Sequence, residues 1–383
     1  MKIGIIGCGG RIRGVVRQVL QHAPEVEVAG VYDPAEASVA AAREAFGSEI
    51  AVHDSEQSLV DDASISWVFI GSVNHVHARQ AVAALDAGKD VFCEKPLATT
   101  LDGCVAMRDA VHRSGRRFFV GFTLRYAPLY RRIRQLIDEG GVGEPISLEF
   151  NETLEFSHGS FIQQDWRRHS EASGSFLLEK CCHDVDIVNW LLGSRAARVA
   201  SFGGLNFFKP GNEHHVERVG PNHEGQKAYH VWGHRRFGSP FIDDKDIIDN
   251  QVAILEYANE VRATFHTNCH SAFPERRLYI VGSEGAIRAD LIPGVIEHRR
   301  IGWEQSKTVY HTHGGGHGGG DAVMTREIAA CMRGGMAPPT TVEDGLASAV
   351  TCLAIDEAMG TGRVVELAPT WTRCDAPGEA VAP

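Results

Sequence analysis

Short apolar runs alternate with helix-like segments through the first third of the chain, and this alternation limits the possible folds more than any other feature. The predicted strands are residues 2–6, 26–32, 51–52, 67–70, 90–93 and 117–121. The predicted helices are residues 13–22, 34–46, 77–87 and 101–114. Because strand–helix–strand units of this length pair their strands in parallel, we expect a doubly wound α/β sheet.

A second pattern begins after Pro145, where strands follow one another with few helices between them. The predicted strands are residues 146–150, 198–208, 248–257, 261–268, 278–282 and 286–290, and the predicted helices are residues 176–192, 321–332 and 342–359. Successive strands favour an antiparallel sheet, so we expect an α+β domain here. The 209–245 segment has no period and is longer than an ordinary loop, which predicts either a functional insertion or a mobile one.

Composition disfavours several classes of protein. The chain has 38 Lys and Arg against 49 Asp and Glu, a net charge of -11, which argues against a dedicated nucleic-acid binder. Its nine cysteines form no C-x-x-C pair, which argues against a disulfide scaffold or a four-cysteine zinc site. No apolar stretch reaches the roughly 18 residues of a membrane span. The first residues read as a strand and a turn rather than a secretory signal. We therefore expect a cytoplasmic protein with no membrane partner.

A glycine-rich turn directly follows the first strand and precedes the first helix. Gly7 allows the tight turn, and Gly9 lets a pyrophosphate approach the backbone. Gly10 then leads into the helix, whose first N–H groups receive the anion. Ile12 stands where the usual pattern has a third glycine, so the motif departs from that pattern. We expect these four residues to bind a dinucleotide.

An acidic residue at the end of the second strand bears on which dinucleotide binds. Asp33 can accept hydrogen bonds from the ribose hydroxyls and would repel a 2′-phosphate, so NAD is preferred over NADP. Arg11 leaves NADP possible as the cofactor, because a guanidinium can bind the 2′-phosphate. A purely structural alternative is that Asp33 only caps the following helix.

The segments 74–78 (Asn-His-Val-His-Ala) and 87–97 (Ala-Gly-Lys-Asp-Val-Phe-Cys-Glu-Lys-Pro-Leu) resemble the Gfo/Idh/MocA oxidoreductase family. The resemblance runs from residue 1 to about residue 367. It implies a Rossmann domain, 1–122, joined to a substrate domain, 123–367, with an open-faced, mainly antiparallel sheet. Residues 368–383 would form a tail, and the closing helices are candidates for packing back on the first domain. It also implies an NAD(P)-dependent dehydrogenase acting on a sugar or polyol.

Lys95 follows the predicted strand 90–93, and a Lys at the carboxyl end of a parallel strand points into the ligand crevice. Near the nicotinamide it can hydrogen-bond the reacting hydroxyl and favour its ionised form by charge. The alternative is an ordinary surface Lys at a strand end. The resemblance implies cofactor contacts from Lys95 and also from Glu94, Asn74 and His77, although His77 can also simply start its helix.

The predicted helix 176–192 carries the second candidate group. The resemblance places His183 at the catalytic histidine and Glu179 at a position usually held by Asp. Residues 179, 183 and 186 follow i, i+4, i+7 spacing, so an α-helix would place them on one face. A histidine titrates near neutral pH and can take the hydroxyl proton as hydride leaves. The alternative is a satisfied core histidine.

Two further pairs are candidate substrate-binding residues. Arg125 and Tyr126 resemble the family segment that borders the nicotinamide and the substrate. Trp166 and Arg167 resemble a family pair near the cleft, where Arg167 would bind hydroxyls or an acidic group and Trp166 would form an apolar wall. The alternative for Arg167 is an interdomain salt bridge.

The 314–320 loop has six glycines around His317. Such a loop lets a ligand sit against backbone amides, so we expect His317 to contact substrate hydroxyls, with Asp321 as the N-cap of the next helix. Two alternatives are a flexible loop with no role in the site and a metal site formed by His311, His313 and His317. Of these readings, we favour one in which the loop binds no metal. A similar segment occurs in relatives that act on glycosides.

The residues are compatible with three functions. The first is oxidation of a sugar or polyol carbinol by NAD, with His183 as base and Lys95 as electrostatic partner. The second is redox-neutral glycoside cleavage through transient oxidation and elimination. The third is a non-catalytic sugar sensor, against which the intact Lys95 and His183 argue. An open sheet face also predicts a homodimer or homotetramer.

Overall fold

The computed structural model describes residues 1–303, 307–312 and 314–376. They form two compact units. The first unit contains Met1–Ala127, Gly315–Val350 and the described residues from Thr370 onward, and the second contains Pro128–Gly314 and Thr351–Pro369.

The N-terminal part alternates strands and helices, as the sequence predicts. Its elements are β1 (Lys2–Ile6), α1 (Gly10–His22), β2 (Glu27–Tyr32), α2 (Glu36–Phe46), β3 (Ala51–Val52), α3 (Glu56–Val60), β4 (Trp67–Ile70), α4 (His77–Asp86), β5 (Asp90–Cys93), α5 (Leu101–Ser114) and β6 (Phe118–Val120). Short 3₁₀ turns lie at Asn74–Val76 and Thr123–Tyr126.

The middle of the chain contains most of the remaining strands. Its helices and first strands are α6 (Pro128–Asp138), β7 (Pro145–Glu155), α7 (Phe156–Ile162), α8 (Ser170–Ser173), α9 (Cys182–Leu192), β8 (Ala196–Gly204), α10 (His215–Val219), β9 (Val231–Trp232) and β10 (Arg235–Arg236). The later strands are β11 (Asn250–Tyr257), β12 (Arg262–Ser271), β13 (Arg277–Gly282), β14 (Gly285–Asp290), β15 (Val295–Arg300) and β16 (Lys307–His311). A π-helical turn, Leu177–Cys181, directly precedes α9.

The last elements are α11 (Gly320–Met332), α12 (Val342–Thr361), β17 (Val365–Glu366) and α13 (Ala368–Asp375). Helix α11 packs in the first unit because Met324, Ile328 and Met332 are buried in the same apolar core as α1. Residues 315–350 therefore lie with the first unit, as considered from the sequence for the closing helices, although the domain boundary expected from the sequence placed them in 123–367. The sequence also sets residues 368–383 apart as a tail, and α13 lies within that range. In the part of the chain that the structure describes, no helix is long and apolar enough to cross a membrane.

The sheet of the first unit has six parallel strands in the order β3-β2-β1-β4-β5-β6. Ile6 is in register with Tyr32 and with Ile70, and Ile70 is in register with Cys93, so these strands end at one edge. Four buried aromatic rings follow one another from β4 to β6: Trp67, Phe69, Phe92 and Phe119, with ring centroids 5.3 to 6.4 Å apart. Such rings bury large apolar areas and hold the strands in register.

The sheet of the second unit has nine strands in the order β16-β15-β14-β13-β7-β12-β11-β8-β17. Its neighbours are antiparallel except for β7 and β12, which are parallel. The fold class expected from the sequence is thus confirmed. Strands β15 and β16 are not predicted by the sequence and extend the sheet at one edge.

One predicted strand, 198–208, is too long. Strand β8 ends at Gly204 because the carboxylate of Asp249 accepts hydrogen bonds from the backbone N–H groups of Asn206, Phe207 and Phe208, at 2.7 to 3.0 Å. The chain therefore leaves the sheet here and enters the 209–245 segment. That segment packs on a buried aromatic cluster of Phe208, Tyr229 and Phe241 rather than lying as an open loop.

Candidate active site

The glycine turn after β1 has the geometry of an anion-binding loop. Gly7 has a φ of +79°, and a Cβ on it would lie 2.3 Å from the backbone N of Ser72, so only glycine fits. At Gly9 a Cβ would meet no atom within 4 Å, so the space beside the start of α1 is open. Helix α1 has no acidic residue in its first turn and no side-chain cap. Its first N–H groups are therefore suited to a pyrophosphate, and the turn fits a dinucleotide.

Ile12 replaces the third glycine of the usual pattern, yet helix α1 still packs closely against the end of β4. A Cβ on Gly71, directly after β4, would lie 2.4 Å from the Cβ of Ile12. The close approach of helix and strand that normally requires a third glycine on the helix is therefore achieved by a glycine on the strand side. Ile12 is fully buried in the resulting contact.

Asp33 connects the glycine turn to the next helix. One carboxylate oxygen accepts a hydrogen bond from the backbone N of Cys8 at 2.6 Å, and the other accepts one from the backbone N of Ala35 at 2.8 Å. Asp33 therefore holds the glycine turn and the backbone before α2, but it does not cap that helix, whose N-cap is Ala35 with no side-chain cap. Each oxygen has a further lone pair, so hydrogen bonds from ribose hydroxyls remain a compatible prediction.

Arg11 is engaged through all three guanidinium nitrogens. Nε lies 2.8 Å from Glu94 Oε1, Nη1 lies 2.5 Å from Asp321 Oδ1, and Nη2 donates to Thr123 Oγ1 at 2.7 Å. Burial alone would lower the pKa of Arg11, but the two carboxylates outweigh it and raise that pKa above its ordinary value. Arg11 thus joins the glycine turn to the ends of β5 and β6 and to the start of α11.

His317 and Asp321 belong to this same network. His317 Nδ1 lies 2.9 Å from Asp321 Oδ2, and His317 has the left-handed backbone conformation, with φ +50°. Burial alone would raise the pKa of Asp321, but the hydrogen bond with His317 and the charge of Arg11 hold it well below its usual range. The predicted N-cap role of Asp321 is wrong, because Gly319 is the N-cap of α11 and no side chain caps it.

The metal alternative for the glycine–histidine loop has no support in the described residues, where no group of three or more metal-ligating side chains is present. His313, one of its three ligands, lies outside the described residues. His317 is instead paired with Asp321 beside the glycine turn of the first unit. Its contact with substrate hydroxyls stays a prediction.

Lys95 lies just beyond the end of β5, after Glu94, at the sheet edge where the glycine turn also lies. It is partly buried, and the Lys95–Pro96 peptide bond is cis. The neighbouring carbonyl of Pro96 lies 2.9 Å from Nδ1 of the buried His77, at the start of α4. Burial lowers the pKa of His77, against the opposing effect of its two backbone hydrogen bonds. His77 therefore supports the segment that carries Lys95, and Asn74 is buried in the 3₁₀ turn just before it.

Arg125 and Tyr126 have partners inside the first unit. Arg125 Nη2 lies 2.9 Å from Asp344 Oδ1, and the Tyr126 hydroxyl lies 3.0 Å from Thr340 Oγ1. Tyr126 also stacks on Phe119 within the core, with ring centroids 5.9 Å apart. Their predicted contacts with nicotinamide and substrate stay predictions, since these interactions show only how the two residues are anchored.

In the second unit, Glu179 lies in the π-helical turn and His183 lies in the first turn of α9. Both side chains are buried, as is Asp186. A π turn widens the helix by one residue, and such turns often occur at functional sites. The sequence predicts one continuous helix here, and it has no local signal for the wider turn.

Three buried charges and the partly buried Lys180 attach the segment around Glu179 and His183 to the sheet. Lys180 Nζ lies 3.1 Å from Glu152 Oε1 on β7. Arg276, directly before β13, lies 2.5 Å from Glu152 Oε2 and forms a bidentate pair with Asp184 at 2.7 and 2.8 Å. Lys180 directly follows Glu179, and Asp184 directly follows His183. The ion pairs of Lys180 and Asp184 therefore hold the backbone that orients Glu179 and His183. Sequence reasoning missed it because its members are distant in sequence.

Glu179 also pairs with Arg167, with Nε and Oε1 3.0 Å apart. The guanidinium of Arg167 stacks over Trp166 and over Phe161, with its carbon 4.4 Å and 4.8 Å from the two ring centroids. This ion pair lies inside the second unit, so it is not the interdomain salt bridge that was the alternative for Arg167. The structure brings Glu179, Arg167 and Trp166 together, as the substrate-site prediction requires.

A glycine turn on a doubly wound sheet, an acid at the next strand end and a Lys at the same edge define a nicotinamide-dependent oxidoreductase. Residues 1–122 match the NAD-binding Rossmann domain of the Gfo/Idh/MocA oxidoreductase family, and residues 134–367 match its C-terminal alpha/beta domain. The chain belongs to this family and is an NAD(P)-dependent dehydrogenase that acts on alcohol groups.

Three relatives show how broad the likeness is. Inositol 2-dehydrogenase 2 from Saccharopolyspora erythraea is 34% identical over 50% of this chain and 54% of its own length. 1,5-Anhydro-D-fructose reductase from Ensifer adhaerens is 26% identical over 82% of this chain and 83% of its own. Levoglucosan dehydrogenase in complex with NADH and levoglucosan superposes with a TM-score of 0.80 at 20% identity, over 96% of this chain and 99% of that one. The last likeness concerns the fold alone.

Proposed function

We propose that the chain oxidises a carbinol of a sugar, sugar derivative or polyol with NAD as the hydride acceptor. The observation that carries this proposal is the position of Lys95. It follows β5 at the sheet edge where β1 and β2 end, and the glycine turn and Asp33 follow those two strands. A cation at this edge is suited to stabilise charge on an oxygen that reacts beside a nicotinamide.

The proposed chemistry divides between three side chains. A ring nitrogen of His183 takes the proton of the substrate hydroxyl. The Lys95 ammonium donates a hydrogen bond to that oxygen and stabilises its developing negative charge. Glu179 binds a neighbouring hydroxyl, and its ion pair with Arg167 fixes the carboxylate. Bound NAD supplies the chemistry of hydride acceptance, so a ketone, NADH and one proton on His183 result.

The preference for NAD over NADP is part of the proposal. Asp33 presents a carboxylate beside the glycine turn, where a 2′-phosphate would meet like charge. Arg11, the cation that could offset this repulsion, is already bound to Glu94, Asp321 and Thr123. An NADP phosphate would have to replace those contacts.

The test is NADH formation by the purified protein with a panel of sugars and polyols. Lys95→Ala should lower kcat by about 10²- to 10⁴-fold and leave the Kd for NAD within about threefold, because removing a positioned charge or proton partner has effects of this size. Lys2→Ala is the matched control, since Lys2 is exposed and begins β1 at the opposite sheet edge. Wild-type turnover by Lys95→Ala would contradict the assignment. Cleavage of a chromogenic glycoside without net NADH would instead support the redox-neutral reaction.

A further inference from the structure

Two arginines in the second unit share one aromatic ring. Arg167 follows α7 in the chain, whereas Arg235 lies on β10, inside the 209–245 segment. The guanidinium carbons of both lie 4.8 Å from the centroid of the Phe161 ring. Arg235 also lies over Trp232, 5.6 Å from its centroid, and pairs with it across the β9–β10 hairpin. The β9–β10 hairpin therefore places a second cation, Arg235, over the same ring as Arg167, which pairs with Glu179.

The charge around these two arginines is incompletely balanced. Arg167 pairs with Glu179 through Nε, and among the described residues its two terminal nitrogens have no recorded hydrogen bond. Within the same set, the guanidinium of Arg235 forms neither an ion pair nor a hydrogen bond. Burial and the nearby charge of Arg167 lower the pKa of Arg235, and Asp165 opposes them without forming an ion pair. Two guanidinium groups that lie over one aromatic ring and keep fork-shaped donors available suit an oxyanion.

The neighbouring rings suit the carbon skeleton of a sugar. Trp232 stacks on His158 at 4.1 Å, with an interplanar angle of 4°, and its ring centroid lies 4.9 Å from that of Phe161. Trp166 is a further ring beneath the Arg167 guanidinium, with its centroid 4.4 Å from the guanidinium carbon. Rigid aromatic walls with a few placed polar groups are typical of small-molecule sites. Arg167, which lies over two of these rings, also pairs with Glu179, the residue proposed to bind a substrate hydroxyl.

We infer that the substrate is an anionic sugar or polyol, whose oxyanion is bound by Arg167 and Arg235. This inference rests on the proposed function and names the substrate class of the same site. The oxyanion is a carboxylate, as in a sugar acid, or a phosphate ester, because both match the guanidinium fork. The inference also gives the 209–245 segment a role: its hairpin carries the residue that determines selectivity for charge.

The test compares kcat/KM for neutral sugars with kcat/KM for the corresponding sugar acids and sugar phosphates. The wild type should favour one anionic series by at least about tenfold, and the favoured series distinguishes carboxylate from phosphate. Arg235→Met should reduce this anionic-to-neutral ratio by about 10- to 100-fold, the usual effect of one charge-assisted hydrogen bond. Arg235→Lys should restore part of it. Arg236→Met is the control, since Arg236 is the next residue, is exposed like Arg235, and as its neighbour on a strand points to the opposite face.

The outcomes separate this inference from the proposed function. Turnover of neutral sugars with an unchanged ratio in Arg235→Met would overturn the anion site and leave the dehydrogenase in place. If no compound reduces NAD, the dehydrogenase proposal fails, and calorimetric titration with a sugar acid and a sugar phosphate then decides the anion site directly. Binding that Arg235→Met weakens at least tenfold, and Arg236→Met does not, supports the site; equal binding by both variants refutes it.

Discussion

Asp356 on α12 is a buried carboxyl whose charge should make the protein less stable at neutral pH. Oδ1 accepts a hydrogen bond from Gln251 Nε2 at 3.2 Å, whereas Oδ2 is buried with no hydrogen-bond partner among the described residues. Burial raises the pKa of Asp356 to about 6, against the opposing hydrogen bonds from Ser175 and Gln251. The folded protein therefore binds this proton more tightly than the unfolded chain does.

The direction and size of the effect follow from this difference in pKa. Above about pH 6 the folded state contains a buried carboxylate, and below about pH 4 the group is protonated in both states, so its penalty disappears. The pKa rises from 3.8 to about 6, and at 1.36 kcal/mol per unit the penalty at high pH is about 3 kcal/mol. Asp356→Asn keeps the shape and removes the charge. It should raise the free energy of unfolding by up to about 3 kcal/mol near pH 8 and by little near pH 4.

Urea unfolding at about pH 8 and about pH 4 measures this effect. Asp138→Asn is the control, because Asp138 is exposed and pairs with Arg134 on the surface of α6. Such exposed pairs contribute at most about 1 kcal/mol, so that variant should change little at either pH. Equal stability of Asp356→Asn and the wild type near pH 8 would refute the reasoning. A gain of the same size at both pH values would show that relief of charge is not the cause.

Three further changes test other parts of the molecule. Asp33→Ala should weaken NAD more than NADP in binding titrations, and unchanged selectivity would show that Asp33 is only structural. Arg276→Met should lower the free energy of unfolding by about 3–5 kcal/mol, because two buried carboxylates lose their cation; Arg277→Met, at an exposed neighbour, should cost far less. Gly71→Ala should destabilise by about 1–3 kcal/mol through overlap with Ile12, and adding Ile12→Gly should recover part of this loss. Denaturation curves that do not separate these variants from their controls would contradict the packing argument.

The first unit could be predicted closely from the sequence because its signals are local. Each strand from β1 to β6 is a short apolar run, and the glycine turn and Lys95 stand directly beside the strands that position them. Helix α3 was missed, since five residues carry too little periodicity to identify a helix.

The second unit was predicted less completely because distant residues determine its details. Asp249 ends β8 by accepting N–H groups more than forty positions earlier in the chain. Arg276 contacts Asp184 across 92 positions, and Arg235 reaches Phe161 from a hairpin that has no strand signal of its own. The candidate groups Glu179 and His183 could be located by resemblance, whereas the charges that hold them and the cation beside them are visible only in three dimensions.

The contact between Ile12 and Gly71 has a consequence for how such chains diverge. While Ile12 is present, the contact has no room for a β-carbon on residue 71, because that atom would lie 2.4 Å from the Ile12 Cβ. A side chain at position 12 could therefore be accepted only where position 71 was already glycine, and a side chain at position 71 is now barred while Ile12 remains. The order of the two substitutions is thus constrained. A side chain at position 71 alone would clash with Ile12, and a glycine at position 12 alone would leave a void. The glycine pattern of the turn after β1 therefore does not reveal this contact, because the glycine that permits it lies at position 71, in another segment.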